Sequence, residues 1–286
     1  MIIAVASGKG GTGKTTVSVN LAKVFGAWGQ LLDCDVEEPN AHLFLPSEVL
    51  REGIVTIPIP KVDLLRCNGC GDCSDFCQFN AIAVVGKSAL VFPELCHACG
   101  GCELVCTRRA IRSEDSRIGM VETRQIGDFL LVQGILDVGI SSASPLVDAV
   151  KQRIQPGQHA ILDAPPGTSC PAVATLRNAD FTILVTEPTP FGLHDLKLTV
   201  AVVRKLGIAF GVVINRHGIG DDRVHRYCAQ ENIPLLLEIP DDRRIAEAYS
   251  QGKLLIESLP EYRDLFERLR DTLLTLQCSA DGGATQ

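Results

Sequence analysis

Short apolar, β-branched runs alternate with stretches of helical periodicity along most of the chain. The first run, Ile2 to Ala6, predicts a strand, and a second strand ends at Leu31 to Asp33. Further strands are predicted at 160–163, 181–186, 210–215 and 234–239, with two weaker ones at 119–125 and 128–134. Helical patterns fill 14–26, 145–154, 192–206, 221–231, 241–250 and 260–277. Strands that are apolar throughout and separated by helices belong to a parallel sheet covered on both faces. The expected fold is therefore α/β, a mostly parallel sheet with helices on both sides. Ligands of such sheets sit beyond the carboxyl ends of the strands.

The pattern breaks off between 61 and 112, after Pro58 and Pro60. Eight of the 12 cysteines fall inside this stretch. Cys67-x2-Cys70-x2-Cys73-x3-Cys77 recurs as Cys96-x2-Cys99-x2-Cys102-x3-Cys106, each cysteine 29 positions on. Ala81 and Ala110, and Ile82 and Ile111, match at the same offset. The stretch reads as an internal duplication inserted into the α/β domain. Three thiolates in a C-x2-C-x2-C loop can face one iron–sulfur cluster while a fourth comes from elsewhere. Zinc sites more often use separated C-x2-C pairs, and disulfides are disfavoured in a reducing compartment.

Composition narrows the function. The 286 residues carry a net charge of −7, so non-specific nucleic-acid binding is not expected. The hydrophobic content of 46% is that of a globular protein. No apolar run approaches the roughly 18 residues of a membrane span, and the first residues lack a basic leader. A cytoplasmic protein is expected, in which dense cysteine signals metal or redox chemistry.

Gly8-Lys9-Gly10-Gly11-Thr12-Gly13-Lys14-Thr15, followed by Thr16, fits G-x-x-x-x-G-K-S/T between a strand and a helix. Its amides and the helix start favour phosphate; Lys14 is placed for the β/γ-phosphates and Thr15 for Mg²⁺. Asp33-Cys34-Asp35 and Asp163-Ala164-Pro165-Pro166-Gly167-Thr168 each follow a predicted strand. Carboxylates there suit Mg²⁺ or an attacking water, and Gly167 is placed to offer its N–H to the γ-phosphate. Asn215-Arg216 ends another strand, where an amide offers a donor and an acceptor to a base. Glu187 ends a neighbouring strand. Cys34 and Cys170 are read as small buried apolar residues. A stripe from Tyr262 to Leu276 is expected to pack on the core, since its polar face lacks the basic excess of a membrane-surface helix.

The loop GKGGTGKTT and the motifs after it resemble the deviant Walker A ATPases of the MinD/ParA family, which includes the nitrogenase iron protein and Mrp-type cluster carriers. The resemblance spans 1–60 and 113–278, with 61–112 as an inserted ferredoxin-like domain and 279–286 as a disordered tail. It implies that Lys9 reaches across an ATP-dependent homodimer, that Asp35 orients water, that Asp163 acts on Mg²⁺, and that Asn215 and Arg216 recognise adenine. By likeness to two-cluster bacterial ferredoxins, whose fourth cysteine serves the other cluster, Cys67, Cys70, Cys73 and Cys106 would hold one 4Fe–4S cluster. Cys96, Cys99, Cys102 and Cys77 would hold the second. Gln78 and Thr107 stand where such ferredoxins often carry proline. The leading expectation is ATP hydrolysis gating electron transfer to an unknown redox partner. The alternatives are a carrier delivering clusters to an acceptor protein and a redox-sensing positioning ATPase.

Overall fold

The computed structural model describes residues 1–281, with side chains through 276. The first elements are β1 (Ile2–Ala6), α1 (Lys14–Phe25), β2 (Gly29–Asp33) and β3 (Val49–Val62). Then come α2 (Asp72–Phe76), β4 (Ile82–Val85), β5 (Ser88–Val91), α3 (Gly101–Val105), β6 (Ile111–Ile126) and β7 (Phe129–Leu136). The chain continues through α4 (Ser144–Lys151), β8 (His159–Asp163), α5 (Cys170–Leu176), β9 (Phe181–Thr186), α6 (Pro190–Leu206) and β10 (Ala209–His217). It closes with α7 (Arg223–Gln230), β11 (Leu235–Pro240), α8 (Arg243–Ser250), α9 (Leu255–Ser258) and α10 (Arg263–Asp281). Residues 282–286 of the expected tail lie outside the described residues, and 279–281 continue α10.

One sheet runs in the order β11-β10-β9-β1-β8-β2-β7-β6-β3. It is parallel from β11 to β7, while β6 runs antiparallel to both β7 and β3. The pleat sends alternate residues to opposite cores. Ile3 and Val5 join α1 and α10 on one face, with Phe266, Leu269 and Leu273 buried there. Ala4 and Ala6 face α4, α6 and α7 on the other. The stripe therefore packs on the core from Tyr262 as far as Leu273, while Leu276 is exposed. Local sequence sets the helix ends: Thr189 caps α6 by accepting from the Gly192 N–H at 3.0 Å, Pro190 opens it, and Gly207 closes it at φ 70°.

The long β3 strand was not foreseen. It is a sheet edge, where Pro58 and Pro60 remove no donor that an inner neighbour needs. Its pairing with β6 runs from Val49↔Arg124 to Val62↔Ile111 with two register shifts, so no flexible joint separates the cysteine module from the sheet. The duplication is also conformational. The helices α2 and α3 are 29 residues apart, as are the left-handed pairs Gly69 and Ala98, Gly71 and Gly100, and Asn80 and Arg109. Val62 pairs with Ile111 as Val91 pairs with Ile82. The Asp63 N–H donates to the Ala110 carbonyl as Phe92 donates to Ala81, at 2.7 and 2.8 Å. Each repeat thus begins inside the ribbon, at the ends of β3 and β6, and is related to the other by a pseudo-twofold.

Candidate functional site

The phosphate loop joins β1, the central strand of the parallel part of the sheet, to α1. Gly8 and Gly13 are confined: a Cβ would strike Asp195 at the first and the Asn215 amide at the second. Gly13 is also left-handed, at φ 93°. Gly10 and Gly11 leave open space beside the loop. Thr12 Oγ1 is buried without a hydrogen-bond partner. A loop built to approach phosphate closely, with an orphaned hydroxyl inside it, fits a nucleotide.

Asp33 and Asp163 are register partners at the ends of adjacent strands, and both are fully buried. Asp33 accepts from the N–H groups of Asp35, Asn40 and Ala41 at 3.1, 2.9 and 3.0 Å. Asp163 accepts from Ser18 Oγ at 2.9 Å and lies against Thr15 and Lys14. Burial, then the Asp163 charge, pushes Asp33 up to about 8. Burial also raises Asp163, against the lowering effect of Thr15, Lys14 and Ser18. Half-buried Asp35 is raised to about 6 by burial and then by Asp163. Such a carboxylate cluster wants a cation beyond Lys14, and Thr15 with Asp163 suits hydrated Mg²⁺. The resemblance singles out Asp35 for the water; strand register, which the motif does not reveal, sets Asp33 directly beside Asp163.

A stability prediction follows from the raised carboxyl groups. Their folded values exceed the ordinary 3.8, so the bound protons stabilise the metal-free fold below about pH 4 and that contribution is lost as pH rises through about 6 and then 8. Melting in chelator from pH 5 to 8.5 is expected to show a falling Tm, with a shallower slope for Asp33→Asn. A wild-type Tm rising across this range would contradict the buried pair.

Several predicted residues make contacts other than those expected. The Gly167 N–H donates to the Ser7 carbonyl at 2.9 Å rather than standing free. Asn215 Nδ2 donates to the Thr12 carbonyl at 2.8 Å, and its Oδ1 accepts from the Arg216 N–H at 3.0 Å. The amide thus braces the loop. Lys9 Nζ lies 3.2 Å and the Arg216 guanidinium 3.0 Å from the buried carboxylate of Glu187, within the same chain. Gly11, Gly13, Thr16, Asn215 and Arg216 line a cleft of about 290 Å³ closed by Asp241, Asp242, Ile245 and Tyr249, a wall the sequence did not announce. Cys34 is buried as expected, and Cys228 is buried too, but Cys170, the first residue of α5, is exposed against expectation. Proline at the second position of that short helix starts it at the surface.

In the module all eight thiols are free. Cys67, Cys70, Cys73 and Cys106 line one cavity, and Cys77, Cys96, Cys99 and Cys102 line another. The Ala98 and Ala110 N–H groups donate to the sulfurs of Cys96 and Cys106 at 3.4 and 3.2 Å. The module core otherwise holds only a few aliphatic side chains such as Ile82, Ala89 and Ile111. Burial pushes the Cys102 thiol up to about 11, so it ionises only against a cation. Two fourfold sets of thiols in a nearly empty core fit two metal centres.

The module also touches the sheet away from its ribbon. Ser141, in the loop after β7, donates to the Glu94 carbonyl. Cys96 and Glu94 share a cavity of about 190 Å³ with Gly139–Ser142, Ile57 and Ile59. That loop starts beside the Asp35 segment, where Leu136 N–H donates to the Val36 carbonyl at 2.9 Å.

Residues 3–256 match the CobQ/CobB/MinD/ParA nucleotide binding domain. The chain belongs to this family. An uncharacterized protein of Methanocaldococcus jannaschii is 33% identical over 276 residues, covering 93% of each chain. An iron–sulfur cluster carrier protein of Aquifex aeolicus is 25% identical over 283 residues, 91% of this chain and 63% of that one. Among solved structures, the septum site-determining protein MinD of Pyrococcus horikoshii with Mg-ADP superposes with a TM-score of 0.59 at 22% identity, covering 96% of each. The CobQ/CobB/MinD/ParA assignment accounts for the parallel sheet, the loop after β1 and the nucleotide cleft. Among the described residues no helix is long and apolar enough to cross a membrane.

Proposed function

We propose that this protein binds and hydrolyses ATP and couples the nucleotide state to electron transfer through two 4Fe–4S clusters in an inserted ferredoxin-like module. The observation that carries the reading is the sorting of eight free cysteines into two cavities of four, each taking three from one repeat and one from the other. Bound clusters would supply one-electron storage at potentials set by their surroundings. At the end of the sheet beside the cleft, Lys14 would meet the β/γ-phosphates, Thr15 with the buried Asp33 and Asp163 would hold hydrated Mg²⁺, which would supply charge neutralisation there, and Asp35 would position the attacking water. One way for movement at Asp35 to reach the module is along the chain to Lys61. The contacts favour another route, from Asp35 and Val36 to Leu136, then through the 137–143 loop to Glu94 and Cys96.

A homodimer closing on ATP fits the reading, with Lys9 crossing to the partner's nucleotide. Glu187 then acts as a latch, since it holds both Lys9 and Arg216 at home. Glu187→Gln is expected to tighten the ATP-dependent dimer several-fold in sedimentation velocity; an unchanged or weaker dimer counts against the latch.

The coupling is tested on anaerobically purified protein by iron and sulfide analysis and by electron paramagnetic resonance of the reduced form without nucleotide, with ADP, and with ATP and Mg²⁺. About eight iron per chain and nucleotide-dependent spectra or midpoint potentials are expected. Eight iron with indifferent spectra would favour the second reading, a cluster carrier, which the name of the Aquifex aeolicus relative supports. Zinc in place of iron would overturn both.

A further inference from the structure

On the far side of the Asn215–Arg216 turn, His217 at the end of β10, His225 on α7 and Glu238 in β11 converge. We propose that these three side chains bind a borderline divalent cation, with zinc the best match. His217 Nδ1 lies 3.3 Å from Glu238 Oε1, and His225 Nε2 contacts the same oxygen. All the donor atoms lie within 4.8 Å of one another. The rings stand edge to face, 72° apart, so the two nitrogens approach the carboxylate from different directions.

The backbone is shaped for this meeting. Ile214 pairs with Glu238, yet His217 pairs with Pro240, so β10 carries one residue more than β11 over that span. Arg216, at φ 54°, absorbs the extra residue in the left-handed region. A bulge of this kind re-aims the side chain beyond it, here His217 toward Glu238. Two imidazoles and one carboxylate suit zinc and its neighbours, whereas magnesium and calcium prefer oxygen alone. Three protein ligands leave the fourth position for water. Each side chain is partly open to solvent, which gives the cation a way in.

The site would clamp one rim of the nucleotide cleft. The His217 carbonyl accepts from the Asp241 N–H at 2.9 Å, and Asp241 lines that cleft with Asn215 and Arg216. Its existence does not depend on the redox reading of the cysteine module.

The test uses the full-length chain, purified anaerobically with its metal centres in place, titrated with Zn²⁺ by calorimetry and studied by zinc-edge X-ray absorption. One zinc per chain is expected, with a nitrogen and oxygen shell at about 2.0–2.1 Å and no sulfur near 2.3 Å. His217→Ala and His225→Ala should each weaken binding at least about 100-fold, beyond the loss typical of outer-shell partners. Zinc should raise Tm in the wild type and not in these variants. If a histidine variant fails to fold, Glu238→Gln serves in its place, with a loss of at least about tenfold expected. No binding by the wild type, a sulfur-containing shell, or equal affinity in the folded variants would overturn the proposal.

Discussion

Replacing Lys14 with alanine is expected to lower nucleotide hydrolysis by at least about 10²–10³-fold, the usual cost of removing one preorganised donor to a developing charge. Visible absorption and iron content of the cysteine module should be unchanged. The physical reason is position. Lys14 opens α1, is nearly buried, and is the cation that lowers both Asp163 and Asp35. Without it, no other side chain offsets both the phosphate charge and the carboxylates behind it, since Lys9 is held at Glu187. The module keeps its own small core, separate from the two cores of the sheet. Turnover assays and absorption spectra of the same preparation decide the matter. Retained turnover would remove Lys14 from the site, and lost absorption would mean that the module depends on the phosphate loop to fold.

Paired cysteine substitutions are expected to separate crossed from local ligation. If the cavities mark the ligand sets, Cys67→Ala with Cys106→Ala damages one centre and leaves about four of about eight iron atoms. Cys96→Ala with Cys106→Ala damages both centres and leaves almost none. Ligation within each four-cysteine run predicts the reverse, because Cys96 and Cys106 then share a centre. Iron and sulfide analysis reads the difference directly, and each pair controls for the other's loss of stability. Equal iron in the two variants would defeat both schemes.

Much of the sheet was legible because its strands are buried on both faces, so they appear as unbroken apolar runs such as Phe181 to Thr186. β3 was hidden because it is a half-exposed edge, with charged residues and two prolines breaking any pattern. The phosphate loop could be located from spacing, since glycine, lysine and threonine each answer a local demand of the phosphate. The partners of Glu187, the bracing role of Asn215 and the burial of Asp33 were not legible. They depend on neighbours drawn from β1, β8, β9 and β10, which only the folded sheet brings together. His217, His225 and Glu238 escaped notice for the same reason, being scattered over three elements without a motif.

The ribbon of β3 and β6 has one more implication. Both ends of the cysteine module leave from a single cross-strand pair, Val62 and Ile111. To the sheet, everything from 63 to 110 is the tip of one long hairpin. A two-residue turn could close that hairpin at the same register, so the pairing of β3 with β6 does not itself require the module. What the module adds to the sheet is its second foothold, at Ser141 and Glu94, through which a shift in one part can be felt in the other.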